Sequence, residues 1–129
     1  MILDSDFVID VMLGKFDAIK RIEKLENSTE VLISTPTIFE LFSGAIRSNK
    51  PEQEVTKIHN VLNRYKTLHL DINSAELAGR IEGKLIKKGQ RMGKTDTLIA
   101  GIALRNQQPI LTRNIKDFSR VKGLKIETY

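Results

Sequence analysis

Four carboxylates have the type and placement to do chemistry: Asp4, Glu40, Asp96 and Asp117. Asp4 ends a short apolar run, Ile2-Leu3, that reads as a buried strand. Glu40 falls in the first turn or so of a helix that follows a second run, Val31-Leu32-Ile33. Asp96 comes directly after Thr95 and opens an almost wholly apolar helix. Asp117 lies a few residues beyond the run Ile110-Leu111-Thr112. In a parallel sheet, strand ends and the N-termini of the helices that follow share one rim, which is where open α/β sheets place ligands. Carboxylates gathered there repel, and their proximity is tolerable only when a cation or protons neutralise them. Hard oxygen donors with no sulfur or imidazole among them select Mg2+ or Mn2+. Each acid also has a structural role open to it. Asp4 can cap a helix, Glu40 can sit on an amphipathic surface, Asp96 can complement a helix dipole and Asp117 can serve a turn. Asp96 is the hardest to explain that way, because it stands at the edge of the core. The residues alone leave both readings open.

The elements that must position these acids alternate along the chain. After the strand at Ile2-Leu3, a helix is expected over Ser5–Leu13, capped by Ser5 or Asp6 and ended by Gly14. Phe16, Ile19, Ile22 and Leu25 recur at helical spacing and predict a helix over Lys15–Leu25. Ser34-Thr35-Pro36 starts the helix that carries Glu40, since proline is preorganised for a first helical turn. Pro51 opens another helix to about Tyr65, and Leu68–Leu70 reads as a brief strand ending near Asp71. A helix capped by Asn73 or Ser74 runs to Lys88 and stops at Gly89. Gln90–Lys94 is a basic loop, and Thr95 caps the helix of Leu98, Ile99, Ala100, Ile102 and Ala103, buried on more than one side. Pro109–Thr112 is a strand, Arg113–Arg120 a loop with a short helical turn, and Leu124–Glu127 a last strand. Alternation of this kind argues for a mainly parallel sheet of about four to five strands, covered on both faces. Residues 1–129 read as a single domain, without repeats or linkers.

The 129 residues carry a formal net charge of +5, and there is no cysteine. Disulfides and thiolate metal sites are thereby excluded. The two histidines, His59 and His69, have no ligand-like spacing. An acid at position 4 argues against a signal peptide, and no uncharged run approaches spanning length, so a cytoplasmic protein without membrane contact is expected. The basic excess points to a polyanionic partner. It is uneven: Lys84, Lys87, Lys88, Arg91 and Lys94 follow one another with no acid between them, and Arg105, Arg113, Lys116, Arg120, Lys122 and Lys125 continue the bias.

Four segments, taken together, carry a family likeness. They are Ile2-Leu3-Asp4-Ser5-Asp6, Glu40-Leu41-Phe42-Ser43-Gly44, Asp96-Thr97-Leu98-Ile99-Ala100 and Thr112-Arg113-Asn114-Ile115-Lys116-Asp117-Phe118. Their order and spacing resemble the PIN-domain nucleases, specifically the VapC-type toxins of toxin–antitoxin pairs, over essentially the whole chain. The resemblance implies a three-layer α/β/α fold and a magnesium- or manganese-dependent endoribonuclease in which Asp4, Glu40 and Asp96 match the family's acidic triad. Many relatives have an acid where this chain has Asn114. Either Asn114 is a neutral ligand or supporting group with Asp117 completing the cluster, or the site is a triad. Asp6 replaces a more usual asparagine and is expected to cap the helix.

On this reading Asp4 and Asp96 hold the metal, Glu40 orients a water or takes its proton, and Ser5 and Thr112 hydrogen-bond carboxylates or phosphate. Lys84, Lys87, Lys88, Arg91, Lys94, Arg113 and Lys116 track the RNA backbone. The resemblance also implies a cognate antitoxin and a homodimer, with Phe42, Ile46, Val61 and Leu62 as a candidate dimer surface. Two rivals remain. Asp4-x-Asp6 after a strand imitates the nucleophile of haloacid-dehalogenase-like phosphatases, but no glycine-aspartate pair follows near the C-terminal strands. A non-catalytic RNA-binding domain on the same fold is the other, although the chain offers no aromatic platform for stacking bases.

Overall fold

The computed structural model describes Met1–Tyr129. Its strands are β1 (Ile2–Leu3), β2 (Leu32–Ser34), β3 (Lys66–Leu68), β4 (Ile110–Leu111) and β5 (Ile126–Glu127), all parallel in the order β3-β2-β1-β4-β5. The helices are α1 (Ser5–Met12), α2 (Phe16–Ser28), α3 (Thr35–Ile46), α4 (Pro51–Arg64), α5 (Ile72–Lys87), α6 (Lys94–Arg105) and α7 (Ile115–Phe118). The chain builds outward from β1 through β2 to β3, then returns to β1's other side with β4 and β5. The direction of winding therefore reverses between β1 and β4, the kind of switch point where α/β sheets open a crevice.

The strands read as unbroken apolar runs because both faces of the sheet are covered. Side chains alternate across a strand. Leu3, Ile33 and Leu111 accordingly join one core with Phe7, Ile22, Leu41 and Ile58 from α1, α2, α3 and α4. Ile2, Leu32 and Ile110 point the other way, into a core with Leu85, Ile99, Ile102 and Phe118 from α5, α6 and α7. Full burial of one such side chain contributes roughly 1.5–3 kcal/mol, so the register is strongly held. Gly101 in α6 lets the third layer close: a Cβ there would lie 2.6 Å from the Ser74 carbonyl oxygen and 2.8 Å from Ala78 Cβ. No helix is long and apolar enough to cross a membrane.

Several local expectations change. Asp4, not Ser5 or Asp6, caps α1, accepting from the Ser5 N–H at 2.8 Å. Asp71 rather than Asn73 or Ser74 caps α5, and its carboxylate accepts from Ser74 N–H at 2.7 Å. α6 begins two residues early, capped by Gly93 instead of Thr95. β3 occupies Lys66–Leu68, because register with Leu32, Ile33 and Ser34 places Thr67 and its neighbours on the ladder. Glu40 stands in the second turn of α3. Gly14 and Gly89 do end their helices, with φ of +72° and +68° in the left-handed region that suits glycine. Of the proposed dimer residues, Phe42, Val61 and Leu62 pack against the first core and only Ile46 is exposed.

Candidate active site at the carboxyl rim

Asp4 leaves β1 with its N–H still in the ladder, donating to the Leu111 carbonyl at 3.0 Å. Its side chain is 4% exposed and bridges the switch point: Oδ2 accepts from Thr112 Oγ1 at 2.6 Å, while Oδ1 accepts from Ser5 N–H. Thr112 Oγ1 also accepts from the Asn114 N–H at 2.9 Å, so the β4–α7 turn is tied to Asp4 through one hydroxyl. Burial raises the Asp4 carboxyl above its usual range, against the two hydrogen bonds, and the charges of Asp6 and Glu40 raise it further.

Glu40 reaches this point from α3. Ser5 Oγ donates to its Oε1 at 2.6 Å, which leaves Oε2 without a hydrogen bond. Asp96, in the first turn of α6, is pushed up to about 6 by burial and then by the charges of Asp4 and Glu40, with Asp117 adding to them. Asn114 caps α7 and its amide Nδ2 donates both to Asp96 Oδ2 at 3.1 Å and to Asp117 Oδ2 at 3.2 Å. A neutral amide thus separates two carboxylates that would otherwise repel across the same gap. Arg120 lies on the outer side of Asp117, Nη1 to Oδ1 3.4 Å.

The four acids therefore share one field at the rim. As they stand, no three acidic side chains converge closely enough to hold one ion. The donor set nonetheless fits a hard divalent cation: oxygens only, in a site where burial and mutual charge oppose full ionisation. Asp6 is exposed in the first turn of α1 and contributes charge rather than a cap.

The basic residues divide. Lys84, Lys87, Lys88, Arg91 and Lys116 are exposed and make no ion pair, whereas Lys94 meets Glu82 at 2.9 Å. Arg113 is committed elsewhere: its Nη2 lies 2.8 Å from Asp10 Oδ2, and its guanidinium stacks over the Tyr129 ring. Asp10, 3% exposed, also receives Lys15 at 2.6 Å and the Tyr129 hydroxyl at 2.8 Å. Burial alone would raise the Asp10 carboxyl, but hydrogen bonds from Lys15 and Tyr129 and the Arg113 charge outweigh it and hold it below the ordinary range. Because Arg113 sits between Thr112 and Asn114, this cluster braces the turn that carries both. The sequence signals it only faintly, as an acid at a core position of α1.

Helices on both faces of a parallel sheet, with carboxylates gathered at its switch point, define a class: α/β/α domains that carry an acidic site on the sheet rim. Within that class the chain belongs to the PIN-domain family, which matches residues 1–124. It is 31% identical over 127 residues to the tRNA(fMet)-specific endonuclease VapC of Salmonella typhimurium, covering 98% of this chain and 96% of that protein. It is 29% identical over 128 residues to ribonuclease VapC2 of Haemophilus influenzae, with the same coverage. Among solved structures, VapBC2 from Rickettsia felis bound to a promoter DNA fragment superposes with a TM-score of 0.92 at 26% identity, covering 99% of this chain and 97% of that one. DNA-bound VapBC from Salmonella typhimurium gives 0.89 at 31% identity, covering 98% and 96%.

Proposed function

We propose that the protein is a divalent-metal-dependent endoribonuclease and the toxin of a toxin–antitoxin pair. The observation that carries this reading is the gathering of the acids at the sheet's switch point, Asp4 and Glu40 joined through Ser5 and Asp96 and Asp117 through Asn114. Asp4 and Asp96, directly or through water, would hold Mg2+ or Mn2+, with Glu40 and Asp117 adding negative charge beside them. When bound, such an ion lowers the pKa of a water and neutralises charge on the scissile phosphate.

The chain's own groups do the rest. Thr112 and the Ser5 N–H each engage one Asp4 oxygen and fix the carboxylate's orientation. Ser5 pins Glu40 by Oε1, so that Oε2 can orient the attacking water or accept its proton. The water oxygen bonds to phosphorus, the bond to the 3′ oxygen breaks, and that oxygen takes a proton from solvent. The product carries a 5′-phosphate, and no 2′-hydroxyl nucleophile is needed. Lys87, Arg91 and Lys116, free of ion pairs, are available to phosphates on either side.

The family's solved relatives named above are toxin–antitoxin complexes, and a cognate antitoxin belongs to the same reading. A groove of about 220 Å³ between α1, α3 and α4, lined by Ile9, Leu13, Leu41, Ala45 and Glu40, suits an apolar antitoxin segment that reaches towards the acids. Exposed Phe39 and Ile46 on α3 are candidates for contact with a second copy.

The test is cleavage of a cellular RNA pool by purified protein at low salt, with Mg2+ or Mn2+ against EDTA, beside the Asp96→Asn variant. The Salmonella relative's name makes transfer RNA the first fraction to probe. Metal-dependent fragments bearing 5′-phosphates and lost in the variant are expected. RNA binding without cleavage under any metal would favour a binding domain instead, and cleavage that survives Asp96→Asn would place the site elsewhere.

A further inference from the structure

On the third layer, beyond Asp117, lies a cavity of about 450 Å³ between α5, the end of α6 and the turn after α7. Its rim carries Lys84, Lys88, Arg120 and Lys122, its floor includes Ile81 and Leu104, and no carboxylate lines it. Lys84, Lys88 and Lys122 are exposed and make no ion pair, unlike Lys94 or Arg113. Lys84 and Lys88 stand one helical turn apart, so their ammonium groups project on the same side. Arg80 at the edge is engaged only with exposed Glu76 at 3.0 Å.

This combination selects its occupant. Clustered cations without counter-charge repel and call for a ligand with more than one negative charge. A partly buried aliphatic floor calls for an apolar, flat body above it. The volume falls within the roughly 300–1,000 Å³ typical of small-ligand sites. A nucleotide within a polynucleotide meets all three demands. Continuity with the acidic cluster decides in favour of RNA over an acidic peptide. The Arg120 guanidinium forms the wall between the two places, 3.4 Å from Asp117 Oδ1 and 3.5 Å from the Arg91 carbonyl oxygen. A strand leaving the acids on this side passes Arg120 first and then meets the lysines.

We propose that this cavity is a subsite for one unstacked nucleotide of the RNA flank. The base lies on Ile81 and Leu104, and the adjoining phosphates are held by Lys84, Lys88 and Lys122. The identity of the strand rests on the nuclease reading above.

The experiment is equilibrium binding of a fluorescently labelled single-stranded RNA to the full chain in EDTA, where no cutting intervenes. A series of the same oligomer with one abasic position each reads the floor, and Lys84→Gln/Lys122→Gln reads the rim. Thermal melting first confirms that the double variant is folded. Wild type is expected to lose affinity at one flanking abasic position only. The double variant is expected to bind about tenfold more weakly and to be indifferent to that position. A flat abasic profile, or unchanged affinity in the variant, overturns the subsite, as does binding of an acidic peptide to the cavity that RNA does not compete away. The two readings fail separately. Cleavage with a flat abasic profile removes only the subsite, whereas a position-specific profile without cleavage under any metal removes only the nuclease.

Discussion

At the scale of single residues, a half-buried and a buried carboxylate with opposite shifts make opposite demands on stability. The metal-free Asp96 carboxyl titrates at about 6, above the roughly 3.9 of an unfolded chain. Between those values the folded protein binds the extra proton, so stability declines as pH rises through the window and stays lower above it. Asp96→Asn removes that loss and keeps an oxygen and an amide facing Asn114. The variant should be inactive yet more stable than wild type in EDTA above pH 6, by roughly 1–2 kcal/mol once solvent screening is allowed for, with the difference gone below about pH 4. Such a gain would also exclude misfolding as the reason for lost cleavage, in keeping with the strain that functional sites carry. Asp10 is the mirror case. Its lowered carboxyl contributes stability above about pH 3.9 that disappears as pH falls through the depressed folded value. Asp10→Asn should therefore cost roughly 1.5–3 kcal/mol at neutral pH and nothing in strong acid. Urea unfolding of the three proteins from about pH 2 to about pH 8 checks both signs. Variants whose gaps do not change with pH would refute both assignments.

At the scale of elements, the site depends on α6 arriving at the right depth, and Gly101 sets that depth. With Ser74 carbonyl oxygen and Ala78 nitrogen inside van der Waals reach of any Cβ, Gly101→Ala must push α5 and α6 apart. Overpacking of this kind costs typically about 1–3 kcal/mol, and because Asp96 rides on the same helix, cleavage should fall as well. A variant with wild-type urea midpoint and wild-type cleavage would show that the two helices do not approach as closely as Gly101 allows. Much of the element order was legible in the sequence, for a physical reason: strands buried on both faces leave uninterrupted apolar runs such as Ile2-Leu3 and Leu32-Ile33. Three of the helix N-caps were not. Asp4, Asp71 and Gly93 are caps because of where the sheet releases the chain, and neighbouring Ser5, Asn73 and Thr95 carry equally suitable side chains. The four acids could be picked out because each follows a strand end or opens a helix. The Asp10–Tyr129 bond could not, since its partners are 119 residues apart and meet only through the fold.

At the scale of the whole molecule, the protein sets an acidic rim within a chain of net charge +5, so attraction for a polyanion and repulsion at the cleavage point must coexist. The arrangement works if the cations facing RNA are the ones without internal partners. Lys87 and Lys116 are free, while Arg113 is neutralised by Asp10 beneath the rim. For single-stranded RNA, each phosphate contact contributes about 0.7 to the slope of log affinity against log salt. Lys87→Gln and Lys116→Gln should each flatten that slope by about 0.7. Arg113→Gln should leave the slope unchanged, yet lower the melting temperature through the loss of its partner on Asp10. Titrations of single-stranded RNA in EDTA across a salt series, with melts of the same samples, separate the two kinds of cation. If Arg113→Gln flattened the slope as much as the lysine variants, Arg113 would be an RNA contact after all, and the β4–α7 turn would be held by Thr112 and Asn114 alone.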